Sequence, residues 1–242
     1  MNKLFKNNIK LNRDEHIYKL EDNPNLNFDS VTTFIGKFFE EFDAPRIADK
    51  LINTNIKYMH MTAEELMATW KHAADYGTLV HEELENFINF KTPVKEKKSV
   101  QGVDWLKQYT MKSDFEIYSE AIVYSEELRL AGTIDLLLLD KNNGTYNILD
   151  WKTSKRISHK AFKNKKGNHY LTSNVDDCNF NHYALQLSLY RYILENYYNL
   201  KISEHIIIHL MEEECVGYHA PYMQEQIVAM INNRKELNSE LH

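Results

Sequence analysis

The chain has 242 residues, 43% hydrophobic and 26% charged, a balance typical of a soluble globular protein large enough for one sizeable core. Its apolar runs are far too short to cross a membrane, and its N-terminus lacks the apolar segment of a secretory signal. Two cysteines, Cys178 and Cys215, make no disulfide framework and suit a reducing compartment. We therefore expect an intracellular protein without a membrane partner.

The charge is unevenly distributed along the chain. The formal net charge of -6 at first argues against a nucleic-acid partner. The segment 152–170, however, holds seven Lys or Arg residues and no acid, which leaves 22 basic against 35 acidic residues elsewhere. A basic segment on an acidic body can hold phosphates locally, and a solvated loop without a ligand is the alternative.

The first predicted elements are a short hairpin and a helix. Turn-forming residues place the hairpin turn around Asn12–Glu15. Further along, Ser30 or Thr32 is a possible N-terminal cap for a helix with the apolar spacing Phe34, Phe38 and Phe39.

A longer helix is predicted over residues 62–90. Thr62 and Glu65 form the pattern of a capping box, which marks the start of a helix. The helical spacing of apolar residues continues beyond Gly77. Residues 103–112 predict another short helix.

The second half of the chain changes from helices to strands and back. Three strands are predicted at 115–125, 128–140 and 145–153. A long polar loop over 153–180 leads to a helix at 181–198, a strand at 204–211 and a final helix at 222–237. This order predicts a mixed α/β fold. We expect an N-terminal hairpin and helical lobe over residues 1–112 and a core over 113–242, integrated into one domain.

The stretch "AGTIDLLLLDKNNGTYNILDWK" places acids within two apolar strands. A four-residue turn at 141–144 gives a register in which Asp135 lies directly opposite Asp150. By the two-residue period of a strand, Lys152 joins the same face, and Trp151 points to the opposite face and packs.

Two carboxylates crowded at the end of an apolar face repel each other and lose hydration, which costs several kcal/mol unless something compensates. Lys152 offsets part of this repulsion, and a hard divalent cation such as Mg²⁺ would offset the rest. An exposed strand edge carrying an ordinary surface ion pair is the alternative.

These residues resemble a known enzyme family. "GTID" followed by "DWK" is similar to the core of the PD-(D/E)XK nucleases. "GTLVHEELE", with Gly77 and His81, resembles the upstream helix of the RecB-type branch, and "QLSLY", with Gln186 and Tyr190, resembles its downstream helix. The stretch "SVTTFI" and the approach from Trp70 to Gly77 also look similar to phage exonucleases and the mitochondrial genome maintenance exonuclease.

The resemblance implies roles for the motif residues. Asp135, Asp150 and His81 would bind Mg²⁺ or Mn²⁺, together with the backbone carbonyl of Trp151. Lys152 would orient or help to deprotonate the attacking water. Gln186 would lie beside this lysine and the substrate phosphate.

Other residues are candidates on weaker grounds. Glu85 lies one helical turn after His81, and Glu120 lies on the strand before Asp135, so either could supply a further metal ligand. An exposed edge explains Glu120 almost as well. The residues predicted to contact nucleic acid are Thr153, Lys155, Arg156, Lys160, Lys163, Lys165, Lys166 and Tyr190.

The resemblance further implies a restriction-endonuclease-like mixed central sheet flanked by helices, with an N-terminal helical lobe closing over the site. The expected activity is a metal-dependent DNA exonuclease of repair or recombination, acting on single strands or DNA ends in the cytoplasm or in a phage-infected host cell. A structure-specific endonuclease and a non-cleaving DNA-binding subunit are the alternatives. Some RecB-type relatives carry an iron–sulfur cluster on four cysteines, a set that two cysteines cannot supply, and no G-x-x-x-x-G-K-[ST] phosphate loop supports a helicase-linked origin. We therefore expect neither an iron–sulfur cluster nor a nucleotide cofactor.

Overall fold

The protein is described here by a computed structural model that covers residues 8–13, 15 and 17–239, with side chains up to residue 236. Its strands are β1 Ile9–Asn12, β2 Ile17–Leu20, β3 Asp29–Ser30, β4 Phe115–Ser125, β5 Leu130–Asp140, β6 Thr145–Lys152, β7 Ile202–Leu210 and β8 Cys215–His219. Its helices are α1 Val31–Gly36, α2 Ala44–Thr54, α3 Ala63–Phe90, α4 Lys97–Thr110, α5 Asn179–Tyr197 and α6 Gln224–Ser239. In the described part of the chain, no helix is both long and apolar enough to cross a membrane.

A mixed sheet of six strands forms the centre of the fold. β4 pairs antiparallel with β5, β5 with β6, and β7 with β8, whereas β6 and β7 run parallel. The short β3 pairs parallel with the start of β5, on the edge that β6 leaves free. Helices flank this sheet, so the predicted mixed α/β class is confirmed, and the architecture is consistent with a restriction-endonuclease-like fold.

The two faces of the sheet bury different helices. Leu137 and Ile148, which pair across β5 and β6, pack in the cluster that contains α1, α5 and α6. Leu136, Leu149 and Trp151 point the other way and pack against α3 and α4. Strand alternation thus explains both layers, and Trp151 packs as predicted.

Helix boundaries in the N-terminal half differ from the prediction. The helix predicted after residue 30 ends at Gly36, and a second helix, α2, follows after an irregular segment. Ser30 and Asp43 each accept a hydrogen bond from the first turn of their helix, so two caps mark two separate helices. α4 begins at Lys97, earlier than predicted, and the short strands β3 and β8 were not predicted.

The predicted long helix is confirmed, and the two strands of the predicted N-terminal hairpin are present, while residue 14 of its predicted turn lies outside the described residues. In α3, the Thr62 side chain accepts from the backbone of Glu65, whose carboxylate accepts from the backbone of Thr62 in return. The helix runs through Gly77 without a break. β1 and β2 form an antiparallel pair.

A buried histidine in β7 predicts acid sensitivity. Burial, followed by the nearby charge of Arg191, lowers the pKa of His205 from 6.5 to about 4. The unfolded chain therefore binds more protons between these two values, and folding stability, complete above pH 6.5, should fall by about 3 kcal/mol as the pH drops to 4. Urea unfolding of wild type and His205→Gln across this pH range tests the prediction. The free energy of unfolding of the variant should depend less on pH, and parallel curves for the two proteins would contradict the role given to His205.

Candidate metal centre

The centre of the site lies where β5 and β6 separate. Their register runs from Asp140 opposite Thr145 to Leu136 opposite Leu149, which is the predicted register. Asp135 and Asp150 follow immediately beyond the last pair. The Asp135 carboxylate accepts a hydrogen bond of 2.8 Å from the backbone N–H of Trp151, so the side chain bridges the opening between the strands.

Asp150 lies in a buried polar pair. Its Oδ2 is 2.5 Å from Lys152 Nζ, and its Oδ1 accepts a 3.2 Å hydrogen bond from the Gln186 side chain of α5. The Lys152 ammonium also lies over the ring of Tyr183, 4.6 Å from its centroid. The structure therefore brings three of the predicted catalytic residues, Asp150, Lys152 and Gln186, into direct contact.

A separate trio of side chains could hold a cation. One ligand atom each from His81, Glu120 and Asp135 lies within 4.8 Å of the others, and His81 Nδ1 is 3.6 Å from Asp135 Oδ2. Ligands of one small divalent ion, each about 2.0–2.3 Å from it, lie within roughly this separation of one another. The carboxylate and imidazole donors thus fit a Mg²⁺- or Mn²⁺-sized ion. Asp150, predicted as a ligand, is not in this trio.

Glu120 reaches the site through an unusual backbone conformation. Its φ is 50°, a left-handed value that costs a residue with a side chain about 1–3 kcal/mol. β4 pairs with β5 at Ser119 opposite Leu136 and at Ala121 opposite Ile134, so Glu120 faces Asp135 across a break in the ladder. The strain is therefore located at the acid that completes the trio.

The carboxylates repel one another. Burial, reinforced by the charges of Asp135 and Glu85, raises the pKa of Glu120 to about 8. Burial also raises the pKa of Asp150 above its usual range, although Lys152 opposes this shift. For Lys152, the charges of Asp150 and Asp135 outweigh burial and raise its pKa, so it stays an ammonium at neutral pH. The site as a whole favours an added positive charge.

Gly77 lets α3 approach the end of β6 closely. A Cβ atom at this position would lie 2.7 Å from the Thr153 hydroxyl oxygen. His81 follows one turn later and faces Asp135. The spacing between Gly77 and His81 in the sequence thus has a steric basis, because the glycine permits the close approach of α3 that places His81 near Asp135.

The effect of Gly77→Ala on folding stability should therefore have opposite signs with threonine and with alanine at position 153. With Thr153 present, the clash of about 1–3 kcal/mol should exceed the helix-propensity gain of about 1 kcal/mol, and the protein should lose stability. In a Thr153→Ala background the clash is absent, so the same change should stabilise by up to about 1 kcal/mol. Urea unfolding of the four proteins measures this cycle, and the same effect in both backgrounds would contradict the steric account.

The predicted nucleic-acid contacts fall into three groups. Lys155, Arg156, Lys160 and Lys163 are exposed and form no ion pair with another described residue. Lys165 is 2.9 Å from both Glu40 and Asp177, and Lys166 pairs with Asp176. Because these two lysines are already paired with acids of the protein, they are less available to phosphate than the first group.

Thr153 and Tyr190 occupy structural positions. The Thr153 side chain faces Gly77, and its carbonyl accepts a 2.7 Å hydrogen bond from Lys98 Nζ. Tyr190 is 3% exposed, and its hydroxyl donates to the Thr133 carbonyl at 2.8 Å. The ring is mostly buried against β5, but Tyr190 also borders the cleft that His81 and Asp135 line, so its contact with nucleic acid stays a prediction.

Glu85, a further predicted metal ligand, is paired with an arginine in this structure. Its carboxylate oxygens accept hydrogen bonds of 3.0 and 3.2 Å from Arg13. Arg13, from the end of the β1–β2 hairpin, was not among the predicted site residues. The only local signal for it was its position in the predicted turn, since the contact joins residues 72 apart in the chain.

One protein-family model matches part of the chain. Residues 102–207 match the sequence model of the PD-(D/E)XK nuclease superfamily. This segment contains Asp135, Asp150, Lys152 and Gln186, while His81 precedes it. The match supports a PD-(D/E)XK nuclease superfamily domain in this part of the chain and indicates metal-dependent nuclease activity.

The chain is also similar to a solved structure described as "Crystal structure of SSO0001". The two are 12% identical, the similarity covers 88% of this chain and 76% of that chain, and the TM-score is 0.38. No curated protein matches the chain.

Proposed function

We propose that the protein is a metal-dependent DNA exonuclease of the RecB-type PD-(D/E)XK branch. The observation that carries this proposal is the position of the His81, Glu120 and Asp135 donors beside the buried Asp150–Lys152 pair. A cation site next to an ammonium can promote hydrolysis of a phosphodiester, because negative charge develops on the phosphate during attack.

His81, Glu120 and Asp135 would hold the ion, with Asp150 and the Trp151 carbonyl as further proposed ligands. A divalent cation would supply Lewis acidity, which acidifies water and neutralises charge on the phosphate. The histidine donor makes Mn²⁺ as suitable as Mg²⁺.

Lys152 would orient the attacking water and donate to a phosphate oxygen. Its raised pKa supports a role as a charged donor rather than as a base. Gln186 would keep the Asp150 carboxylate in place by its hydrogen bond and so hold Lys152 towards the substrate. The exposed basic residues 155, 156, 160 and 163 would contact the strand beyond the site.

Exonuclease action is proposed from the resemblance of the ordered motifs, from Gly77 to Tyr190, to exonucleases that act on DNA ends. We also propose that residues 1–112 and 113–242 work as one integrated domain. This is supported by the shared packing of Val80 and Leu84 of α3 with Leu136 and Leu149 of the sheet.

The test is to incubate end-labelled linear DNA and circular single-stranded DNA with Mg²⁺, Mn²⁺ or EDTA. We expect metal-dependent shortening of linear strands and no cleavage of the circle. Opened circles would show an endonuclease instead, and binding without cleavage in any metal would show a non-cleaving subunit. Matched single-stranded, double-stranded and RNA substrates report the preferred nucleic acid.

A further inference from the structure

The β1–β2 hairpin is anchored over the site by packing and by a hydrogen bond. Ile9, Tyr18 and Leu20 form a small core with Tyr124 and Ala131 of β4 and β5. The Tyr18 hydroxyl is 3.0 Å from the Thr133 hydroxyl, two residues before Asp135. The hairpin is therefore attached to the strand that carries the metal-site acid.

Arg13 projects from the end of β1 towards the acids of the site. Its Nη2 is 3.0 Å from Glu85 Oε2 and 4.0 Å from Glu120 Oε2. Its side chain is 59% exposed, so the guanidinium faces both the carboxylates and solvent.

A cleft of about 570 Å³ lies beside Arg13, His81, Glu120, Asp135 and Gln186. This volume is in the range of sites that accept a small ligand or one unit of a polymer. Among the described residues lining the cleft, Arg13 is the only lysine or arginine, and it stands against the four acids Glu82, Glu85, Glu120 and Asp135. Among the described residues that line the cleft, Arg13 is therefore the one permanent cation for an entering polyanion, while Lys152, outside this lining, pairs with Asp150.

We propose that Arg13 is a substrate-positioning residue that exchanges Glu85 for one backbone phosphate of a nucleic-acid strand in the cleft. The inference rests on the proposed nuclease function and extends it by naming a phosphate contact outside the segment that matches the nuclease superfamily. It also assigns a role to the hairpin, which holds this guanidinium over the metal-site carboxylates.

The exchange is physically reasonable because the resting contact is weak. An ion pair with an exposed arginine is screened by water and salt and contributes little. A guanidinium binds phosphate through two parallel N–H donors, as it binds a carboxylate, so the same side chain can accept either partner. Glu85 would then keep Arg13 oriented until a strand enters.

Binding of a labelled single-stranded oligonucleotide, measured by fluorescence anisotropy, tests the proposal without turnover. Ca²⁺ serves as the cation, and a gel verifies that the strand stays intact. Arg13→Ala should raise Kd about 10-fold, and Arg13→Lys should restore part of the loss. The plot of log K against log salt has a negative slope, and in Arg13→Ala its magnitude should be smaller by about 0.7, as expected for one lost phosphate contact on a single strand. Arg46→Ala is the matched control, since Arg46 also pairs with a glutamate and is 64% exposed.

Glu85→Gln distinguishes two roles of Arg13: binding a phosphate, or only holding the hairpin in place through its ion pair with Glu85. If Arg13 binds phosphate, Arg13→Ala should weaken binding far more than Glu85→Gln. Equal losses in the two variants would overturn the proposal, because a tether needs both partners equally.

Oligonucleotides with one phosphate at a time replaced by neutral methylphosphonate locate the contact. The effect of Arg13→Ala should disappear when one particular phosphate is neutralised, and an unchanged effect at every position would overturn the proposal. If the wild-type chain neither binds nor cuts DNA, the proposed function itself is wrong. If wild type binds and Arg13→Ala binds equally well, only the role of Arg13 is wrong.

Discussion

Lys152→Ala is expected to lower the rate of DNA cleavage by about 10²–10³-fold while metal affinity changes little. The ammonium lies 2.5 Å from Asp150 and stays charged, so its removal takes away the positive charge nearest to this acid. The trio His81, Glu120 and Asp135 does not include Lys152, and this separates the two effects. Single-turnover cleavage measures the first effect, and calorimetric titration with Mn²⁺ measures the second.

Stability must be controlled in this experiment, because removing Lys152 leaves the buried Asp150 without its cation. Such an unpaired charge costs about 3–5 kcal/mol unless the carboxyl takes a proton. The double variant Asp150→Asn/Lys152→Ala removes both charges and should recover most of the lost stability. A folded Lys152→Ala protein that keeps most of the wild-type rate would show that Lys152 has no role in cleavage.

Asp135→Asn is expected to abolish metal-induced stabilisation, lower cleavage by about 10³-fold, and make the metal-free protein more stable by about 1 kcal/mol. The asparagine oxygen can still accept the hydrogen bond from the backbone of Trp151, so the strand geometry should persist. The lost charge no longer repels Glu120 and Asp150. Thermal unfolding in EDTA and in Mn²⁺ measures both effects.

The pH dependence gives a second measurement of the same repulsion. Because the pKa of Glu120 is raised from 4.5 to about 8, the folded metal-free protein binds more protons than the unfolded chain between these values. Stability in EDTA should therefore fall as the pH rises through this window, and Asp135→Asn should make the fall smaller. Asp75→Asn, which changes an acid paired with Lys71 on the surface of α3, is the control and should leave the slope unchanged. Equal slopes in wild type and Asp135→Asn would contradict the assigned coupling.

Local rules predicted the centre of this site from the sequence. The turn at 141–144 sets the pairing of β5 with β6, and the pairing places Asp135 and Asp150 next to each other. Strand alternation then assigns Lys152 to the acids and Trp151 to the core. These relations hold within about twenty residues, where turn length and periodicity leave few alternatives.

Contacts between distant segments could be decided only by the tertiary structure. The approach of Arg13 to Glu85, the pairing of Lys165 with Glu40 and the burial of Tyr190 each depend on how separate elements pack. No periodicity in the sequence specifies which surface residues of two elements will meet. For this reason the basic loop was predicted to be more available to phosphate than it is.

The sequence by itself determined the succession of β4, β5, β6, α5 and β7 and the register of the central hairpin, because these follow from turns, caps and periodicity along a continuous chain. The motifs that point to a nuclease site came instead from their resemblance to a known family. Only the tertiary structure decided which donors surround the cation site. Glu120 joins His81 and Asp135 because a left-handed residue interrupts β4, while Asp150 pairs with Lys152 instead. The physical reason is that the partner of a carboxylate depends on distances and burial, and these exist only after the chain has packed.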